Sequence, residues 1–533
     1  MKSMKNIVNI INFVRGIEPR PGRNIDLYQP VREQIRLMRE NDLTGTFLLQ
    51  YDALIDAQFR TLMQSCLDFC EVGLWLEIVE PLVTAVGEKW NGRYSWDWYN
   101  DVGFLIGYEP EVRCRLIDEC MLRFKETYGF YPKSVGSWHI DAFSMRYLAE
   151  RYQVHACCIC RDQVGTDGYT LQGGYYNQAY YPSRFNMFCP AQTRETQIDL
   201  PVFRMLGSDP ISAYDFQIFP YRADRRCPTM EPAQMGGDCD FASWLVKEIF
   251  SGNGISFQYM QIGQENSFGW ERMEAGINNQ FRAVRALRDE KKLEVMTLGE
   301  AGEWYCSQYS ATPPSTVTAL SGFEQASFRS VWYNSRYYRC NLFWDNGIVR
   351  LRDLYLFRER YEEHYLRRRC NTHACEYRNL PIMDGVIGSD SQKNLYAGIY
   401  LAKGEMPIRW DCLTYTEEGN CAKVILRSGH GTATVIFSES QAEIRSDIPE
   451  LTLIPLYDRD CVYGKTEVSD VSFANHNNKH TCITYLSKVS RNGNRIDLLF
   501  DSFFYHIRVL KGWVNADWSI ASDAGSVKVD FAK

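Results

Sequence analysis

Over residues 1–310, short apolar runs of strand length alternate with longer amphipathic stretches. The short runs predict strands at Asn6–Val14, Thr44–Gln50, Glu71–Leu76, Ser134–Trp138, His155–Cys160, Val202–Leu206, Ser256–Ile262 and Leu293–Leu298. Between them, Pro30–Glu40, Glu111–Thr127 and Ala142–Arg151 carry apolar residues at helical spacing, as crossover helices do. Alternating strand and helix is the pattern of βα units around a parallel sheet, and seven or eight such units close a barrel or nearly do so. From about Tyr377 the pattern changes to short alternating runs such as AKVILRS, ATVIFS and RIDLLF between turn residues, which predicts a β-sandwich. The expected fold is therefore α/β, a (β/α)7-8 barrel followed by a C-terminal β-sandwich.

Ser307–Ser321 shifts in composition to Ser, Thr, Ala and Pro and marks the end of the barrel. This divides the chain into a barrel at 1–310, a linker and connector at 311–376 with a helix expected over Leu351–Arg369, and a sandwich at 377–533. Two insertions break the barrel rhythm, Lys89–Gly107 and Gly165–Arg184, both rich in Trp, Tyr, Asn and Gly. Loops this long in a compact domain are functional or disordered, and their aromatic density argues against disorder. They read either as a layer capping the barrel mouth or as a wall of rings for stacking on sugars, with Trp96, Trp98 and Tyr175 as its contacts.

Acids recur where the runs end: Glu18, Asp52, Glu77, Asp141, Asp209, Glu265 and Glu300. A barrel keeps its chemistry at its strand exits. The first 350 residues hold only two histidines, His139 and His155, so a three-histidine metal site cannot be assembled there. Carboxylates, amides and aromatic rings remain, the equipment of glycosidic-bond cleavage by a pair of acids. The candidate catalytic residues are Asp141, Glu265, Glu77 and Glu18.

Each has a structural alternative. Asp141 directly precedes a helix and suits an N-cap. Glu18 lies between Arg15 and Arg20 and suits an ion pair. Glu77, with apolar neighbours, is either the buried partner of an arginine or an acid with a raised pKa. Glu265 sits in the polar triplet Gln264–Glu265–Asn266 directly after an apolar strand, which is hard to explain as packing and leaves a surface loop as the alternative. Substrate contacts are expected from Trp75, His139, Gln264 and Trp270, with Asp162 and Asp167 framing the aromatic loop and Asp209 either a ligand or a turn cap. Glu300 and Glu303 fit the first turn of a helix.

With 533 residues, 45% of them hydrophobic, the chain can bury at least one large core. A net charge of −7 and no basic run longer than Arg367–Arg369 leave no electrostatic footprint for nucleic acid. No apolar stretch approaches membrane-spanning length. The eighteen cysteines follow no framework spacing, and those of VHACCIC (Cys157, Cys158, Cys160) read as small buried hydrophobes, with a zinc site as the alternative. A soluble, cytoplasmic protein with reduced thiols is expected, acting on carbohydrate, with no metal and no organic cofactor.

The segments TGTFLLQYDAL, EVGLWLEIVEPL and KLEVMTLGEAGEWY resemble, in order, strand motifs of the glycoside hydrolase/deacetylase β/α-barrel superfamily, which includes polysaccharide deacetylases and glycoside hydrolases of families 57 and 38. The resemblance covers roughly residues 6–305. It places Trp75 and Val79 where the deacetylases have histidine metal ligands, and RGIEPR where they have paired aspartates. It therefore implies the glycosidase branch, with a nucleophile at the fourth strand and an acid near the seventh.

Overall fold

The computed structural model describes residues 4–166, 169–171, 173–216, 226–251, 254–375, 378–393, 395–404, 406–449 and 451–456, and strands from 466 to 530 with their ends. Eight strands form the barrel: β1 Lys5–Val14, β2 Thr46–Leu49, β3 Glu71–Trp75, β4 Ser134–Gly136, β5 Ala156–Ile159, β6 Val202–Arg204, β7 Phe257–Ile262 and β8 Glu294–Met296. Their order is β7-β1-β2-β3-β4-β5-β6, all parallel, with β8 beside the first half of β1. Both faces of β2 to β7 are covered nearly throughout, which is why they read as unbroken apolar runs, while β8 is partly exposed.

The principal outer helices are α1 Tyr28–Glu40, α2 Pro110–Tyr128, α3 Ala142–Tyr152, α4 Cys239–Ile249, α5 Trp270–Asp289 and α6 Leu298–Gln308. Glu300 closes a capping box with Thr297 at the start of α6, the helix-start role expected of it. The interior is tight. A Cβ on Gly136 would lie 2.6 Å from Leu48 and 2.7 Å from the Cys158 sulfur, so the barrel is packed with side chains down its axis.

Among the described residues no ladder joins β6 to β7. Side chains bridge that seam: the Leu206 N–H donates to Gln261 of β7, and the Phe203 and Tyr259 rings stand 5.1 Å apart. The barrel is thus nearly closed, with one edge where backbone pairing gives way to side-chain contact.

After α6 the chain enters antiparallel sheet at β9 Ser315–Ala319, β10 Arg329–Asn334, β11 Tyr338–Asp345 and β12 Ile348–Leu356. The helix expected over Leu351–Arg369 is therefore corrected: its first part is β12 and the remainder holds one 3-10 turn, His364–Leu366. Charged residues expected on that helix, Arg352 and Asp353, are buried in the strand. Arg352 donates to Asn341 Oδ1 at 2.6 Å and to the carbonyls of Pro210 and Ile211 at 3.0 and 2.9 Å. A second antiparallel sheet, Cys412–Glu418 through Gln441–Ser446 with Ser526–Asp530, alternates buried and half-exposed positions, as a one-sided sheet does.

The barrel is fastened to the first of these sheets by a buried ionic chain. Asp162, at the β5 exit, accepts from Arg204 at 3.0 Å and from Arg339, which also pairs Asp353 at 3.1 Å. Tyr176 stacks on Trp332 with centroids 3.7 Å apart, and Trp332 donates to the Pro210 carbonyl. The sixteen cysteines described are free thiols, and Cys157, Cys158 and Cys160 are buried in and beside β5.

Candidate active site

At the carboxyl ends of the strands, the side chain of Arg15, just past β1, lies between two buried acids. One of its terminal nitrogens stands 3.0 Å from Glu77 Oε2 and 3.2 Å from Glu265 Oε2. Glu77 follows β3, and it also accepts from the Trp75 indole at 2.8 Å and from Gln50 at 3.3 Å. Glu265 follows β7, with its other oxygen accepting from Ser267. The position of Arg15 is set by Asn266, which accepts from the Arg15 N–H at 2.9 Å and donates to its carbonyl at 2.8 Å. Gly263, at φ +106°, makes the turn out of β7: a side chain there would strike the Ile11 carbonyl.

Above the guanidinium lies Trp96, brought in by a bridge to Val79, with its ring 3.9 Å from Arg15 and 4.9 Å from Arg20. Beneath it, Trp75 stacks on Phe13 at 4.3 Å, and Trp138 meets both edge-on. The site is a cation held between two carboxylates inside a cage of indoles. Glu18 stands at its rim: burial raises its carboxyl, but the hydrogen bond and charge of Arg20 outweigh that and hold it below its ordinary value. The sequence reading gave Glu18 two arginines, whereas the geometry gives Arg20 to Glu18 and Arg15 to the inner pair.

The remaining expected residues divide by place. Gln264 joins the site, donating to Glu231 at 3.3 Å and accepting from the Ala233 N–H. Trp98, half-exposed, lies beside Trp96 with Arg93 over its ring at 4.4 Å. Trp270 is buried in the first turn of α5. His139 accepts or donates through Nε2 to Asn100 at 3.0 Å and stacks on Phe104; burial pushes it down to about 3, so the ring is neutral.

Asp141 is drawn away from Glu265 by a different set of partners. It caps α3 through the Ser144 N–H, accepts from the Ser144 hydroxyl, and pairs Arg113 at 3.0 Å. Asp162 is consumed by the ionic chain to the sheet, with the Gly173 N–H as a further donor. Tyr175 is fully buried and donates to the Pro313 carbonyl, on the side of the C-terminal sheet. Asp209 caps the short helix Ser212–Phe216 through Ile211 N–H and Ser212. Asp167 lies outside the described residues.

One acid escaped the sequence reading. Glu231 sits in a loop laid over the β6 exit, where Met230 N–H donates to the Gly207 carbonyl and Asp209 N–H to that of Pro228. It accepts from Gln264 and, at 3.2 Å, from the Thr229 hydroxyl. Burial raises its pKa against the opposing charge of Arg161, and the nearby Glu265 raises it further. No periodic pattern marks this loop, so only its packing identifies Glu231.

Several acids are buried with raised pKa: Asp52 and Asp209 are each pushed up to about 6 by burial, and Glu363 to about 8 by burial and by the charge of Asp141. A carboxyl that holds its proton more tightly folded than unfolded makes the folded state the richer in protons between the two pKa values, so stability falls as pH rises through that window. The melting temperature is expected to be higher at pH 5.5 than at pH 8, by a free-energy difference on the order of a few kcal/mol. Glu363→Gln should flatten the slope, and a melting temperature that rises toward pH 8 contradicts these assignments.

The divalent cation that the resemblance to deacetylases would imply finds no fitting donor set among the described residues. Arg15 supplies a fixed positive charge beside Glu77 and Glu265 at the strand exits, and among the described residues no group of three His, Cys, Asp or Glu is placed to hold a metal ion. No step below runs through a metal.

Residues 99–311 match a family described as a domain of unknown function with solved structure, DUF3863. No curated protein matches the chain. Among solved structures, a Parabacteroides distasonis protein described as a glycoside hydrolase/deacetylase aligns at 16% identity and TM-score 0.50, over 66% of this chain and 86% of its own. A Pseudomonas aeruginosa PAO1 protein described as a polysaccharide deacetylase aligns at 10% identity and TM-score 0.36, over 58% and 93%. A glycoside hydrolase family 57 branching enzyme from Thermococcus kodakaraensis aligns at 8% and 0.34, over 57% and 71%. The strand order and the first of these likenesses agree: the chain shares the β/α-barrel fold of that Parabacteroides distasonis protein.

Proposed function

We propose that this protein is a carbohydrate-active hydrolase that cleaves glycosidic bonds with carboxylates at the barrel mouth. The observation that carries the reading is the convergence of Glu265 and Glu77 on one side-chain nitrogen of Arg15 beneath an indole lid. An oxocarbenium-like transition state places positive charge on the sugar, and a carboxylate beside it stabilises that charge or attacks it. Glu265, a single residue from the Gln264–Glu231 contact, is the acid best placed to do so, and Arg15 fixes its orientation. Trp98, half-exposed beside the buried Trp96, supplies a flat apolar face with a polar tip, suited to a pyranose. The fold shared with a protein described as a glycoside hydrolase/deacetylase supports the substrate class. The free thiols support a reducing compartment, the cytoplasm.

A panel of oligo- and polysaccharides and nitrophenyl glycosides, read by new reducing ends or by nitrophenol, tests this. Hydrolysis of at least one member is expected, and loss of that activity in Glu265→Gln. Glycan binding without turnover would make the barrel a lectin-like module, and release of acetate alone would make it a deacetylase with a reorganised site.

A further inference from the structure

We infer that Glu231 is the proton donor of this site, standing across the open seam of the barrel from Glu265 and joined to it through Gln264. The inference rests on the glycosidase reading above. Glu231 comes from the loop over β6 while Gln264 and Glu265 leave β7, so this contact spans the place where, among the described residues, the two strands share no ladder. The loop is fixed from beneath as well: Gln280 of α5 donates to the Gly236 carbonyl at 2.9 Å.

Its partners differ in kind from those of the inner acids. Glu77 and Glu265 face a guanidinium, whereas Glu231 has only an amide and a hydroxyl as donors, at 3.3 and 3.2 Å, and among the described residues no cation within ion-pair distance. The charged and titratable groups that face it are Arg161 and the Cys227 thiol it donates to, on one side, and Glu265 on the other. Burial and the Glu265 charge favour the protonated form and Arg161 opposes it, with burial the larger. An acid kept protonated by its surroundings is the one equipped to donate a proton in a glycosidase.

In the step assigned, the Glu231 O–H bond breaks and its proton goes to the glycosidic oxygen. The electron pair of the C1–O bond leaves on that oxygen. The water that becomes bonded to C1 gives up the proton that resets Glu231.

Glu231→Gln tests the assignment on a disaccharide and on the 4-nitrophenyl glycoside of the same sugar. A proton donor matters most where the leaving group is a poor one. The account expects kcat/KM for the disaccharide to fall roughly 10²-fold or more and that for the nitrophenyl glycoside far less, with the alkaline limb of the pH–rate profile removed. Equal losses on both substrates with the alkaline limb intact overturn it. If the amide fails to fold, Glu231→Asp should keep the alkaline limb at reduced rate. Without any substrate, the carbon-13 signal of the Glu231 carboxyl, assigned by its loss in the variant, should titrate above ordinary glutamates. Titration in the ordinary range overturns the inference alone, while wild-type protein that cleaves no glycoside overturns the hydrolase reading and this inference with it.

Discussion

Replacing Arg15 with methionine lowers folding stability by roughly 3–5 kcal/mol, the usual cost of removing one partner from a buried ionic group. Two carboxylates, Glu77 and Glu265, would be left near one another without the cation that lies between them. Trp96 would lose the guanidinium beneath its ring. Chemical denaturation at pH 7 measures the effect. Adding Glu77→Gln to Arg15→Met should recover part of the loss, because one of the two stranded charges is then gone. A loss under about 1 kcal/mol for Arg15→Met would show that the acids do not depend on it, since surface pairs contribute no more than that. Turnover falls with the same substitution, because Glu265 loses the group that orients it.

Asp162→Asn is the second large effect, again roughly 3–5 kcal/mol, and its value lies in what stays constant. Asp162 holds Arg204 of the barrel and Arg339 of the C-terminal sheet, so its neutralisation leaves Arg204 without its carboxylate and Arg339 with Asp353 alone. As a sugar ligand it would raise KM and leave the melting temperature nearly unchanged. The geometry assigns the reverse, a lower melting temperature with KM unaltered.

Much of the barrel was legible because its signals are local. All eight strands lie in the expected apolar runs, within a residue or two at most boundaries, and seven of those runs end in acids. The failures share a physical cause, which is that the partner of a charge is not written next to it. Arg352 and Asp353 read as part of a helical connector packed on the barrel, yet they are buried in β12 because Asn341, Pro210, Ile211 and Arg339 come to meet them. Asp141 and Glu265 both end apolar runs and looked like a pair, but Arg113 and Ser144 take Asp141 while Arg15 takes Glu265. The polar triplet after β7 was visible as chemistry without packing, and Asn266 proves to hold Arg15 in place. Glu231 left no trace, being an acid before a proline in an aperiodic loop that gains meaning only when β6 and β7 stand side by side.

The most direct measurement of the central claim compares turnover and melting temperature for Glu265→Gln and Asp141→Asn on the glycoside that the panel identifies. The account predicts that Glu265→Gln folds and loses at least roughly 10²-fold in kcat, as removal of a positioned acid or base does. It predicts that Asp141→Asn melts lower, through its lost pairing with Arg113, and keeps turnover near wild type. Full turnover in Glu265→Gln, or a collapse of turnover in a stably folded Asp141→Asn, would place the chemistry at the fourth strand and contradict the site described here.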